Sequence, residues 1–133
     1  LDELRIRLQN SDGTWQSPRI LPITDSVEDI KVADFNRDNK VDLAISQWTN
    51  GFVVPPAVYI LLGDGTGNFS NPGVYSMPEA VDRPDIAIAD FDLDFKLDLM
   101  LDGGYGDEKS FYVMRGRGDG SFESPVAATT IVD

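Results

Sequence analysis

The segment Ala89–Met100 reads ADFDLDFKLDLM, with aspartates at 90, 92, 94 and 98 and apolar residues between them. As one strand it would carry an acidic stripe, and each close pair of carboxylates costs up to about 1 kcal/mol even near water. Residues 33–44 read ADFNRDNKVDLA and repeat the pattern 56 positions earlier, so the stripe would have to arise twice at one phase. In both copies the side-chain oxygens fall at positions 1, 3, 5 and 9 of a loop: Asp34, Asn36, Asp38 and Asp42, then Asp90, Asp92, Asp94 and Asp98. A hard cation such as calcium takes roughly six to eight oxygens, and oxygens at 1, 3 and 5 with a main-chain carbonyl at 7 wrap it in one turn. Lys40 and Lys96 lend that carbonyl, and Asp42 and Asp98 close the sphere. The spacing therefore predicts a strand end, a calcium loop and a second strand start in each copy, with about two ions bound.

A helix-flanked calcium loop is the rival reading. It needs a helix directly after the loop, whereas LAIS (43–46) and LMLD (99–102) are short runs that lead into Gly-containing loops. Strand-loop-strand fits better.

Working outward, three turns resemble one another: NSDGTWQSPRIL from Asn10, GDGTGNFSNPGVY from Gly63 and GRGDGSFESPVAA from Gly116. Each has an aromatic residue (Trp15, Phe69, Phe122) three positions before a proline, and the aromatics lie 54 and 53 residues apart. The chain is thus a repeat of about 54 residues, present slightly more than twice. Within a unit the apolar pattern has period two or forms short runs, never a sustained period of 3.6. Strands are predicted at 28–35, 42–47, 57–63 and 73–77, again at 84–91, 98–102, 110–115 and 124–131, with 4–9 and 18–23 as the last two strands of an earlier unit. Four short strands per unit of this length is the pattern of a propeller blade.

The predicted fold is all-β: about two and a half four-stranded antiparallel propeller-type blades in one repeat domain, 1–133. A partial blade spans 1–26, a blade 27–82 and another 83–133. Closed propellers need roughly four to eight blades. The chain is therefore expected to be a fragment of a larger propeller or an array that oligomerises, with exposed edge strands that invite self-association.

Composition narrows the chemistry. The 133 residues carry 23 acidic against 11 basic side chains, a net charge of -12, so nucleic acid and anionic membrane surfaces are repelled and cations attracted. The acids are mostly Asp, which belongs in turns, caps and hard-metal loops. Cys and His are absent, which removes disulfides, zinc sites and any nucleophilic triad built on thiolate or imidazole. No apolar run approaches the roughly 18 residues of a membrane span. The best-placed acids already have metal roles, so the chain is read as no enzyme.

With these residues in view, the DF-x-x-D-x-x-x-DL cores and GDG-type turns resemble FG-GAP, or VCBS-type, repeats, the blades of integrin-α-like β-propellers. The likeness runs from about Leu4 to Ile131. It implies that each aspartate loop joins the first two strands of a blade and binds calcium through Asp34, Asn36, Asp38, the Lys40 carbonyl and Asp42, and through Asp90, Asp92, Asp94, the Lys96 carbonyl and Asp98. Such repeats usually place Gly at loop position 6, where the backbone turns sharply. Asn39 is a tolerable substitute there, whereas Phe95 carries a strain of about 1–2 kcal/mol if the loop keeps its usual geometry.

The functional expectation is a calcium-binding, non-enzymatic extracellular or cell-surface module that mediates protein–protein adhesion or assembly. The alternative is carbohydrate binding, with Trp48 and Tyr105 stacking on a sugar from the loops after the second strand of each unit; packing of Trp48 between blades is the plainer role for that ring. Partners are accordingly a protein or a glycan. Arg117-Gly118-Asp119 spells the RGD tripeptide of integrin ligands, but the same turn in the other units needs Gly and Asp anyway. Millimolar extracellular calcium would fill weak sites of roughly 0.1–1 mM that stay empty in cytosol.

Overall fold

A computed structural model describes residues 3–21, 26–48, 55–78, 81, 83–103 and 110–128. Among the described residues ten strands form three antiparallel sheets, none closed into a barrel. The first sheet pairs β1 (Leu4–Ile6) with β2 (Arg19–Leu21). The second is a meander of β3 (Ser26–Ala33), β4 (Asp42–Trp48), β5 (Ala57–Gly63) and β6 (Phe69–Ser76), in that spatial order. The third repeats it with β7 (Asp85–Ala89), β8 (Asp98–Gly103), β9 (Ser110–Met114) and β10 (Val126–Ala128). The all-β, propeller-type expectation holds.

Boundaries moved where side-chain chemistry intervenes. β7 was expected to reach 91 but stops at Ala89, because Asp90 opens the loop by turning its carboxylate onto amides further along. β6 begins at Phe69 rather than 73, and its longer pairing with β5 is accommodated by an irregularity between Ile60 and Leu62. Of the predicted strand 124–131, Val126–Ala128 is observed, and residues 129–133 lie outside the described part.

Packing explains the runs and alternations. β4 is buried along almost its whole length, with Leu43 and Ile45 in one apolar cluster, Ala44 in the other, and the polar Asp42, Ser46 and Gln47 buried beside them. One cluster joins Leu4, Ile6 and Leu21 of the first sheet to Leu43, Ile45 and Leu61 of the second. The other joins Phe35, Ala44, Val58 and Ile60 to Ile86, Leu99, Leu101, Tyr112 and Met114 of the third sheet and to Phe122 in the turn between β9 and β10. Fully buried Ile45, Ile60, Leu99 and Leu101 each contribute roughly 1.5–3 kcal/mol of burial energy.

Polar contacts fix the stacking. Asp29, beside the bulge in β3, accepts the N–H of Ile86 at 2.9 Å and the Lys31 ammonium at 2.8 Å, tying the first strands of two sheets together. Phe122 sits edge-on between Phe35 and Tyr75, with ring centroids 5.5 and 6.1 Å away, and donates its N–H to the Tyr75 hydroxyl at 2.8 Å.

Candidate metal centre

Each aspartate loop connects the first two strands of its four-stranded sheet. The first residue of the loop does the winding. Asp34 accepts the N–H groups of Asp38 and Asn39 at 3.1 and 2.8 Å, and Asp90 accepts those of Asp94 and Phe95 at 3.1 and 2.8 Å. To bring those amides round, the chain enters the left-handed region twice per loop: Arg37 and Asn39 at φ 62°, Leu93 at 62° and Phe95 at 68°. The strain expected at Phe95 is therefore present, and a second strained residue, at position 4, stands in each loop.

The ninth residue is the buried one. Asp42 is fully inaccessible and accepts the N–H of Phe35 and of Gly63, both at 2.8 Å. Asp98 is 1% exposed and accepts the N–H of Phe91 at 3.0 Å and of Gly116 at 2.8 Å. Each thus clamps the start of its loop to the end of the third strand. A carboxylate has about four lone-pair sites, so two amides leave acceptor capacity for a cation.

In the second loop Asp90, Asp92 and Asp98 each bring a carboxylate oxygen within 4.8 Å of the other two. Two unit charges at about 4 Å repel by roughly 4 kcal/mol at an effective dielectric near 20, so such a cluster attracts a compensating cation. The donors are hard oxygens, which suits calcium or magnesium and not a thiophilic metal. A basic side chain is at hand for one of them: Arg115 Nε lies 3.4 Å from Asp92 on the exposed side. In the first loop Asn36 stands where the second has Asp92, leaving Asp34 and Asp42 as carboxylates at the corresponding positions.

Position 5 also carries an ion pair within its own loop. Asp38 and Asp94 each accept the N–H of the lysine two residues on and pair with its ammonium, Asp38 with Lys40 at 3.1 Å and Asp94 with Lys96. Burial pushes the Asp38 carboxyl up, but its bonds to Lys40 outweigh this and hold it below the usual range. The Lys96 ammonium and amide hold Asp94 down, and Asp94 in turn raises Lys96. The lysine stems lie across glycines of the neighbouring turns, Lys40 over Gly65 and Lys96 over Gly118. In the second loop the carboxylates that converge are those at positions 1, 3 and 9, with the Asp94–Lys96 ion pair at position 5.

The loops also touch each other. Arg37 of the first donates to the Phe95 carbonyl of the second. Beside the second loop, a groove of about 460 Å³ is lined by Phe91, Asp92, Asp98, Val113, Arg115 and Val126.

Several residues here went unseen in the sequence. Gly63 and Gly116 sit within the repeated turns, yet their work as N–H donors to aspartates 21 and 18 residues earlier has no local signature. A Cβ on either would stand 2.1 Å from the Val41 carbonyl or 2.0 Å from that of Leu97. Asp119 of the RGD tripeptide accepts the N–H and hydroxyl of Ser121 at 2.9 and 2.6 Å, as Asp64 does with Thr66 and Asp12 with Thr14. Trp48 is half-buried at the end of β4 with the Arg83 guanidinium 4.6 Å from its ring centroid, and Tyr105 lies outside the described residues. No family model matches the chain, and no curated protein or solved structure is found to be similar to it.

Proposed function

We infer that the chain is a calcium-binding, non-catalytic module of the FG-GAP type, working outside the cell as a rigid scaffold for protein–protein association. The observation that carries this reading is the convergence of Asp90, Asp92 and Asp98 oxygens within 4.8 Å at the mouth of a loop already wound by its own amides. Asp90, Asp92 and Asp98 would hold one ion and Asp34, Asn36 and Asp42 a second, with the Lys96 and Lys40 carbonyls as further donors. Bound calcium would supply charge neutralisation only. The protein's own part is to fix the donors: Asp98 and Asp42 are held by two amides each, so little ordering is left to be done on binding.

Assembly is favoured over carbohydrate binding by one contact. The Arg83 guanidinium covers a face of the Trp48 ring, which removes one platform for a sugar.

Calorimetric titration with calcium tests the reading. About two sites with Kd near 0.1–1 mM are expected, and Asp92→Asn, an exposed position, is expected to weaken one of them at least about tenfold while leaving the fold intact. Absence of calcium heat and of any stabilisation at about 10 mM would dismiss the metal reading.

A further inference from the structure

The two aspartate loops are joined through a side chain and through the main chain. Arg37, at position 4 of the first loop, donates a guanidinium N–H to the carbonyl of Phe95, at position 6 of the second. The guanidinium lies against the turn between β9 and β10: a Cβ built on Gly118 would stand 3.5 Å from its central carbon and 3.1 Å from the stem of Lys96. One side chain from each loop thus rests on the bare backbone of a single glycine, held at φ 77°. The main-chain link runs through the same turn. Gly116 gives its N–H to Asp98, which closes the second loop, at 2.8 Å, and Gly120 gives its N–H to the carbonyl of Phe35, at position 2 of the first, at 3.2 Å. Between these points the turn is braced by the Arg117 N–H on the Ser121 carbonyl at 2.9 Å and by the Asp119 carboxylate on Ser121.

These links reach the backbone that carries the donor oxygens. Phe35 lies between Asp34 and Asn36, Arg37 lies between Asn36 and Asp38, and the Phe95 carbonyl directly precedes that of Lys96. The carbonyls that accept from Gly120 and Arg37 are at positions 2 and 6, so neither link takes an oxygen of the donor set at 1, 3, 5, 7 and 9. Filling one loop fixes the backbone on both sides of the linked residue, and part of the ordering required of the other loop is then already done. Repulsion between two dications opposes this effect and is weakened by salt.

We propose that the two aspartate loops take up calcium cooperatively, with Arg37 as the positioning residue that makes the geometry of each loop depend on the other. Arg37 touches no ion and acts through the Phe95 carbonyl. The inference rests on the calcium reading of both loops and adds to it a coupling of the two sites, which by linkage is equal in both directions.

Calcium titration of the whole chain, followed by NMR at the amides of Asn39 and Phe95, tests it. Each amide is bonded to the first carboxylate of its own loop, so the two signals read the loops separately. Asn36→Ala removes a donor from the first loop without changing charge, and is expected to raise the calcium midpoint at Phe95 at least about fivefold at an ionic strength near 0.15 M. Arg37→Met keeps the length of the side chain and drops its hydrogen bonds; in that background the same Asn36→Ala change is expected to move the Phe95 midpoint by about twofold or less. The lost charge of Arg37 acts with and without Asn36 alike and cancels in the ratio. A merely structural role for Arg37 would lower the melting temperature of the calcium-free chain and leave the ratio as in wild type. A Phe95 midpoint indifferent to Asn36→Ala overturns the proposal, as does an undiminished ratio in Arg37→Met. If both loops fill independently, the calcium reading stands and the coupling alone falls; if neither amide responds to about 10 mM calcium, the calcium reading fails and the proposal with it.

Discussion

Gly116 donates its main-chain N–H to Asp98 at 2.8 Å from a position where any side chain would strike the Leu97 carbonyl. The loop, the strand after it and the turn at the far end of the hairpin thus meet at one buried carboxylate, and Gly63 with Asp42 repeats the arrangement one sheet earlier. Gly116→Ala is expected to cost about 2–4 kcal/mol, because either the amide leaves the buried carboxylate or the backbone moves. Urea unfolding measures it, as a lower midpoint at unchanged slope.

Phe95 should respond in the opposite sense. It sits at φ 68° with 87% of its surface exposed, so the side chain adds strain and little burial. Phe95→Gly is expected to stabilise the chain by about 0.5–1 kcal/mol, the relief of left-handed strain exceeding the added freedom of the unfolded chain. A thermal melt reads this as a rise of a few degrees, roughly 2–4 °C.

Tyr75→Phe isolates the junction between the second and third sheets. It keeps the ring against Phe122 but removes the hydroxyl that accepts the Phe122 N–H at 2.8 Å. The orphaned donor is expected to cost about 1–3 kcal/mol in unfolding free energy, a loss that Tyr75→Leu would exceed by also removing the ring packing.

Acid should loosen the turns together. Hydrogen bonds from Asn68 and Thr66 hold Asp64 far below the usual carboxylate range, while Thr14 lowers Asp12 and Ser121 lowers Asp119. Burial alone would raise Asp29, but Lys31 and the Ile86 amide bring it down. Each folded-state value lies below the unfolded value of 3.8, so the stabilisation is complete above about pH 5 and is lost as pH falls through 4 toward the folded values. Urea midpoints from pH 7 to pH 3 should be flat at first and then fall, with the fall reduced in Asp29→Asn.

The sheets were legible because the aspartate loops and GDG turns recur at constant spacing, so that β4 and β8 could be started at Asp42 and Asp98, whereas the expected strands 28–35 and 84–91 ran two residues past Ala33 and Ala89 into the loops. Legibility ended where a role depends on a distant partner. Arg37 and Leu93 give no local sign of a left-handed backbone, since neither residue type favours it. The ion pairs of Asp38 with Lys40 and of Asp94 with Lys96, whose stems lie over Gly65 and Gly118, have no sign in the spacing of the aspartates. Phe35 and Phe91 hold the same place in the two loops, each after Ala-Asp, yet one is buried beneath the third sheet and the other lines the groove.

The most direct test of the metal reading is the unfolding temperature of the whole chain in about 10 mM calcium and in excess EGTA. With sites of Kd near 0.1–1 mM, calcium should stabilise by about 1.5–2.7 kcal/mol per site, a rise of at least about 5 °C that is reduced in Asp92→Asn. An identical melting temperature in calcium and EGTA would contradict the account.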